Sequence, residues 1–314
     1  MTKFQFLVPV DGSDNSRAAA KHAVELAGKY GAEISTMYVA DIRKYIPHDE
    51  ILEIIESAGE EYIGQVRELA LSKGITVKSA NVLTGSPVDK IIIEAKELDA
   101  SLIIMAASGR SHTKATPIGV VANRVLRSCD TNILLVRDTE TAEHYKKIMI
   151  LTDGSKDAEY AAQFGMSIAK RYNSEVYACT IVDTQQKIIQ RHVTTYEDVG
   201  HGKILGETMG YSEAIINRLR QRLMDDAAKL AENVRKIADE KGIKAEIIVK
   251  DGKPATEILK IARDKQIDLL VLGSTGKGSI SRMMVGSISE KVASTAKCSV
   301  LVVKSSRIER VVPE

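Results

Sequence analysis

The sequence predicts an α/β protein built from two doubly wound, five-stranded parallel-sheet domains, and three observations predict it. One motif occurs twice along the chain. Within each copy, short apolar runs alternate with helical patterns. The runs are apolar throughout and do not alternate with polar residues, as expected of strands covered on both faces by helices. Right-handed crossovers then place helices on both sides of the sheet.

The repetition is direct. Residues 6–41, "FLVPVDGSDNSRAAAKHAVELAGKYGAEISTMYVAD", align with residues 148–183, "IMILTDGSKDAEYAAQFGMSIAKRYNSEVYACTIVD", at an offset of 142. Asp-Gly-Ser, an Ala pair, Ala27/Ala169, Tyr30/Tyr172 and the closing Asp coincide. Further on, "VLTGSPVDKIIIEAKELDASLIIMAASG" aligns with "VKDGKPATEILKIARDKQIDLLVLGSTG" at an offset of 167, so the second copy holds about 25 extra residues in between. This sets one domain at residues 1–140 and a second at 145–307, with an insert near 184–212. The linker "DTETAEHYK" is polar and lacks Gly and Pro, which predicts docked rather than loosely tethered domains.

The elements follow in order. "FLVPV" is a strand that ends at Asp11-Gly12-Ser13, a turn with a helix-capping residue. In the helix after it, Ala19, Ala23, Leu26, Ala27 and Tyr30 share one face. "EISTMYV" and "ITVKSANV" are strands separated by a helix that closes on Lys73-Gly74; "IIIEAKEL" is a helix, "SLIIMA" a buried strand, and a helix and "NILLV" complete the copy. The second copy runs "IMIL", a helix, "EVYACTIV", the insert, a helix, "IKAEIIV", "ILKIARDK", "DLLVLG", a helix and "SVLVV". Its long amphipathic stretch "EAIINRLRQRLMDDAAKLAENVRKIADEKG" would turn Ile216, Leu219, Leu223, Leu230, Val234 and Ile237 to the core.

Composition narrows the function. A chain of 314 residues suits two domains, and 44% hydrophobic with 27% charged residues is ordinary for a soluble protein. A net charge of +2, 4% aromatics and no Trp argue against nucleic acid or a membrane surface as partner. No apolar stretch approaches the roughly 18 residues of a membrane span. The start "MTKFQFLVPVDGS" runs into a strand pattern without a secretory leader, so the expectation is a cytoplasmic protein. Cys129, Cys179 and Cys298 stand singly and read as small buried hydrophobes.

The stretch "VLGSTGKGSISRMMVGSISEKV" (residues 271–292) carries the functional signal. It lies past the carboxyl end of a strand, where open α/β sheets bind ligands. Gly273 and Gly276 are expected to adopt positive φ and let a ligand approach the backbone. Gly286-Ser287 opens a helix in which Ile288, Val292 and Ala296 share a face, and Ser287-x-x-Glu290 has capping-box spacing. The free N–H groups of such a helix start favour an anion. Ser274, Thr275, Ser287 and Ser289 would add hydroxyl donors, and Lys277 and Arg282 charge. An isolated Gly-Ser-Thr-Gly is also what a plain turn looks like, but a second Gly-Ser after a fixed gap is hard to motivate as one turn. The pattern is neither a Walker A loop nor G-x-G-x-x-G.

Gly273-x2-Gly276-x9-Gly286-Ser287, with "LTDGS" ending one strand and "IVD" the next, resembles the nucleotide-binding signature of the universal stress protein family, in its ATP-binding branch. The two copies cover nearly the whole chain, so it is similar to a tandem member. The resemblance implies an adenine nucleotide alpha hydrolase-like fold with strand order 3-2-1-4-5. It implies Leu151, Thr152 and Asp153 at adenine and ribose, Ile181 offering backbone to the base, and Leu272 beside the ribose. Around the phosphates it implies Gly273, Gly276, Gly286, Ser287 and Ser289; the hydroxyls of Ser274 and Thr275, the charges of Lys277 and Arg282, and Ile288 complete the candidate binding residues. The expected cofactor is ATP or AMP, with or without Mg. The expected role is stress response or signalling through a nucleotide-dependent state. Last strands of paired domains associate in the family, so "NILLV" and "SVLVV" would meet as an intramolecular pseudo-dimer, alongside a homodimer of chains. A capping role for Asp153 is compatible with a ligand role.

The first copy departs from the signature: Ala106 stands at the Gly273 position and Val120 at the Ser287 position, while Asp11, Gly109, Arg110, Lys114 and Gly119 persist. Weak or no nucleotide binding is expected there. For catalysis, the six histidines fit no metal spacing. Ser13 and Ser155 lack the G-x-S-x-G of a nucleophile elbow. At most slow ATP hydrolysis is expected; a weak ATP hydrolase or nucleotide-transferring enzyme is the alternative. The Gly-containing insert suits a lid or a partner-docking loop as well as a solvated one.

Overall fold

The computed structural model describes residues 4–41, 49–109, 118–137, 145–188, 213–276 and 285–304. The insert from 189 to 212, the linker from 138 to 144, and Arg110, Lys114, Lys277 and Arg282 lie outside the described residues.

The first half runs β1 (Gln5–Val10), α1 (Asp14–Tyr30), β2 (Glu33–Ala40), α2 (Asp49–Ser72), β3 (Val77–Thr84), α3 (Pro87–Glu97), β4 (Leu102–Ala106), α4 (Val120–Ser128) and β5 (Asn132–Val136). The second half runs β6 (Lys147–Leu151), α5 (Lys156–Tyr172), β7 (Glu175–Val182), α6 (Glu213–Glu240), β8 (Ala245–Asp251), α7 (Pro254–Asp264), β9 (Leu269–Gly273), α8 (Ser287–Thr295) and β10 (Ser299–Val303). Ser13 and Ser155 cap α1 and α5, their hydroxyls accepting from the N–H of Ser16 at 3.1 Å and of Ala158 at 3.3 Å. Gly31 (φ 60°) and Asn173 (φ 52°) end the same two helices in the left-handed conformation. Pro87 and Pro254 open α3 and α7, where no N–H is needed.

The ten strands form one sheet in the order β3-β2-β1-β4-β5-β10-β9-β6-β7-β8. Each half is parallel within itself, in the order 3-2-1-4-5, and β5 meets β10 antiparallel with Leu134 opposite Leu301. Two apolar cores cover the two faces and run across both halves. Phe6, Val8, Leu134, Ile150 and Leu301 enter one, under α1, α2, α5 and α6; Leu7, Ile133, Leu135, Leu270 and Val302 enter the other, under α3, α4, α7 and α8. Ala19, Ala23, Leu26, Ala27 and Tyr30 are all buried, as the helical period predicts. On α6 the buried stripe is Leu223, Ala227, Ala231, Val234 and Ala238, whereas Ile216, Leu219, Leu230 and Ile237 are only half-buried. Small side chains carry the closest packing, so the face is rotated from the one that the large residues mark. Cys129 and Cys179 are buried, but Cys298 is only partly so. No helix among the described residues is long and apolar enough to cross a membrane.

The seam between the halves is reciprocal. The Lys304 N–H donates to Asn132 Oδ1 (2.9 Å), and its Nζ crosses to the Leu126 carbonyl in the last turn of α4 (3.0 Å). In return, the Arg137 N–H donates to Ser299 Oγ (3.3 Å), and its Nη2 donates to the Ala293 carbonyl in the last turn of α8. A cation near a helix C-terminus complements its carbonyls and its dipole. Burial lowers the pKa of Lys304 and brings that of Arg137 down to about 10. On the opposite face, Lys29 Nζ donates to the Arg171 carbonyl (3.3 Å) and Arg171 Nε to the Lys29 carbonyl (3.1 Å). The same two cations lie over the Tyr172 and Tyr30 rings, respectively.

Candidate functional site

β6 pairs with β7 on one side and β9 on the other, so chain connections diverge in opposite directions from its carboxyl end. A crevice of about 420 Å³ opens there, within the size of a small-molecule site. Leu151, Thr152 and Asp153 come to it from the end of β6, Ile181 from β7, and Leu272, Gly273, Thr275 and Gly276 from the end of β9. Gly286, Ser287, Ile288 and Ser289 come from the start of α8. These sequence-predicted residues are therefore brought together. Ser274 is not on the lining: it is buried beneath the loop.

The strand-end Asp is held by its own turn. Asp153 Oδ1 accepts the Ser155 N–H (3.0 Å), and the cap of α5 is Ser155, not Asp153. The other carboxylate oxygen lies against Gly276, where an added Cβ would stand 2.6 Å from Asp153 Oδ2. Thr152 Oγ1 accepts the Gly154 N–H (3.2 Å), so two side-chain bonds close the Thr-Asp-Gly-Ser turn on itself.

The Gly-rich loop departs from its sequence expectation in three ways. First, Gly273 and Gly276 are absent from the positive-φ residues, so neither is there for left-handed backbone. Gly273 is needed for packing: an added Cβ would stand 2.6 Å from Asp157 Cβ and 2.7 Å from its carbonyl carbon, inside the first turn of α5. Second, the hydroxyls of Ser274 and Thr275 turn to Asp157 Oδ2 (2.8 and 2.7 Å), and that of Ser289 donates to the Gly273 carbonyl (2.8 Å). Third, Ser287 is the first residue inside α8 rather than its cap. The cap is Gly286, and Glu290 pairs with Arg127 (3.6 Å) in place of closing a capping box.

That third difference bears on the ligand. Gly286 has no side chain to offer the first turn of α8, so the N–H groups there lack the capping oxygen that Ser155 provides for α5. The helix start faces the crevice with Ser287 exposed, and Ile288 is 44% exposed rather than packed with Val292 and Ala296. An anionic group fits the helix end, and the apolar wall of Leu151, Ile181, Ile258 and Leu272 fits a ring. Cys179 also lines the crevice; burial pushes its thiol up to about 12, which leaves it inert.

Sequence reasoning did not single out Asp157, Ala158, Pro254 or Ile258, and it weighed Ser155 and Cys179 without placing either on the wall of the site. An acidic residue in the first turn of α5, where the first copy has Asn15, was the available signal for Asp157.

The first half has a corresponding crevice of about 270 Å³ over β1 and β4. Asp11 Oδ1 accepts the Ser13 N–H (3.0 Å) and hydroxyl (2.6 Å), and Gly109 lies against its other oxygen as Gly276 does for Asp153. Gly119 caps α4 without a side chain, and Val120 is 64% exposed beside it.

Comparison with known proteins gives a consistent picture. The model of the universal stress protein family matches residues 4–137 and again 144–304. Universal stress protein MJ0531 of Methanocaldococcus jannaschii is 35% identical over 165 residues, 52% of this chain and 85% of that protein. Universal stress protein YxiE of Bacillus subtilis is 31% identical over 160 residues, 51% of this chain and 99% of that protein. The crystal structure of a universal stress protein from Archaeoglobus fulgidus superposes with a TM-score of 0.68 at 19% identity, covering 97% of this chain and 99% of that one, which speaks to the fold.

Proposed function

The chain belongs to the universal stress protein family, as a tandem of two such domains, and from that premise we propose that its second half binds an adenine nucleotide. The ligand is ATP or AMP, with Mg where a triphosphate is bound. The observation that carries this reading is the convergence on one crevice of Asp153, the Gly273–Gly276 loop and the Gly-capped start of α8. Adenine lies on the wall of Leu151, Ile181 and Leu272, ribose near Asp153, and the phosphates face the first turn of α8. Lys277 and Arg282, which fall between Gly276 and Gly286 in the sequence, supply charge. Occupied and empty states present different surfaces to a partner in the cytoplasm. The first half, with its smaller crevice and Val120 at the helix start, binds nucleotide weakly and serves mainly as a structural partner. The protein acts by binding, and any ATP hydrolysis is slow.

Mass spectrometry of small molecules released on denaturing the purified protein tests this, with calorimetry for ATP and AMP. The expected result is an adenine nucleotide at about one per chain, reduced in Ser287→Ala. Protein that releases no nucleotide and gives no heat with either compound would falsify the reading. Phosphate release well above that of Gly286→Ala and Ser287→Ala variants would favour the hydrolase.

A further inference from the structure

We infer that Asp157 is the positioning residue for the phosphate end of this site: it fixes the Gly273–Gly276 loop and so sets the preference for phosphorylated over unphosphorylated ligand. The inference rests on the nucleotide reading above and deepens it. Asp157 is the second residue of α5, and its side chain is buried beneath the loop. One oxygen, Oδ2, accepts three hydrogen bonds: from Ser274 Oγ (2.8 Å), the Thr275 N–H (3.0 Å) and Thr275 Oγ1 (2.7 Å). Hydrogen bonds to a charged acceptor are the strong ones, and the α5 N-terminus further favours a carboxylate there. The first residue of the loop, Gly273, is locked against the Asp157 backbone, since any Cβ at Gly273 would collide with it.

Asp157 therefore orders the loop before a ligand arrives. A ligand that needs backbone donors from a fixed loop gains affinity when the ordering is already in place. The same bonds turn both hydroxyls away from the crevice. With the Ser274 N–H donating to the Val303 carbonyl (2.7 Å) and the Thr275 N–H to Asp157, the backbone donor that residues 274–276 keep for an anion is that of Gly276, the last described residue of the loop. The first half shows the alternative. Asn15 stands at the Asp157 position, its Nδ2 donates once to Ser108 Oγ (3.0 Å), and Ala107 replaces Ser274. The polarity is reversed and one side-chain bond stands where the second half has three.

The test uses the full chain with Asp157→Asn and Asp157→Ala, plus Thr275→Val alone and combined with Asp157→Ala. Amide hydrogen exchange at Thr275 in nucleotide-free protein reads the loop, and calorimetry with ATP and with adenosine reads the site. In Asp157→Asn, exchange at Thr275 should quicken at least tenfold and ATP affinity fall at least tenfold, with adenosine affinity within about twofold of wild type. Adding Thr275→Val to Asp157→Ala should cost ATP binding little more, because the bond is already gone. Unchanged exchange at Thr275, or equal losses for ATP and adenosine, overturns the inference. If Asp157→Ala does not fold, Asp157→Asn, of nearly equal volume, decides it. A wild-type protein that binds neither ATP nor adenosine removes the nucleotide reading, while the exchange measurement still decides whether Asp157 holds the loop.

Discussion

The crevice over β6 and β9 measures about 420 Å³ and its counterpart over β1 and β4 about 270 Å³, although the strands beneath them align residue for residue. The turn that ends the first strand is kept in both: Asp11 and Asp153 bond to a serine two residues on and leave a glycine no room for a Cβ. The differences lie in a few small residues. Met37 fills the place of Cys179, Ala106 that of Gly273, Val120 that of Ser287, Ala122 that of Ser289 and Asn15 that of Asp157. A duplicated fold can thus keep its sheet and cores intact while the contents of one site are redrawn. The Gly273/Ala106 difference in particular concerns how closely a helix approaches a strand end, rather than how closely a ligand approaches the backbone.

Gly273→Ala breaks the comparison most strongly. The added methyl meets the Asp157 backbone, and overpacking of this kind costs about 1–3 kcal/mol. Urea denaturation should show that loss, whereas Ala106→Gly in the first half should cost no more than about 1 kcal/mol. Equal effects at the two positions would mean that the two helix approaches do not differ.

The seam sharpens it next. Lys304→Met leaves the Leu126 carbonyl without its cation, and Arg137→Met does the same for Ala293. Each loss should be about 1–2 kcal/mol by thermal or urea unfolding, the upper range for a cation at a helix C-terminus. Full stability in both variants would show the exchanged cations to be ornamental.

Converting one site toward the other comes third. Ser287→Val should weaken ATP binding about threefold to tenfold, the worth of one hydroxyl hydrogen bond. The reverse change needs more than Ala106→Gly with Val120→Ser, because the loop-holding carboxylate is missing. Adding Asn15→Asp and Ala107→Ser should give a second calorimetric site; stoichiometry still near one per chain would refute it.

The smallest effect at neutral pH concerns titration. Burial pushes the Cys179 thiol up to about 12, the Cys298 thiol to about 11 and the Tyr30 phenol to about 12, and it also raises Tyr172. These groups keep their protons in the folded state while the unfolded chain loses them from about pH 9 upward. Stability is therefore full below pH 9 and drains as pH climbs toward the folded values. Lys304 and Arg137, lowered by burial, act in the opposite direction; for Arg137 that begins only near pH 10. Urea midpoints should fall as the pH rises from 9 to 10, and Cys179→Met, the first-half residue, should flatten the slope without abolishing it.

Much of the fold was legible because the chain states it twice. Any strand that was ambiguous in one copy had its partner in the other, and the apolar runs "SLIIMA" and "DLLVLG" admit little but buried strands. The lining of the site was legible as spacing along the chain. What spacing does not carry is the direction in which a side chain points. Ser274 and Thr275 read as ligand donors until α5 is seen to bring Asp157 beneath them, a contact between residues 117 and 118 positions apart. The cap of α8 differs from its expected residue by one position, and that single step exchanges a hydroxyl cap for an open helix end. Lys304 and Arg137 read as ordinary basic residues after a strand, because their targets belong to the opposite half.

The antiparallel meeting of β5 and β10 has a consequence for how the two halves came to differ. The strands "NILLV" and "SVLVV" are alike in length and apolar character, so pairing like with like competes with the pairing of unlike edges. A covalent tether settles that competition, since it holds the unlike edge nearby at a local concentration on the order of millimolar. Joined in one chain, the duplicates are spared from pairing like with like, and a substitution such as Val120 or Asn15 falls on one crevice of the assembly and never on both.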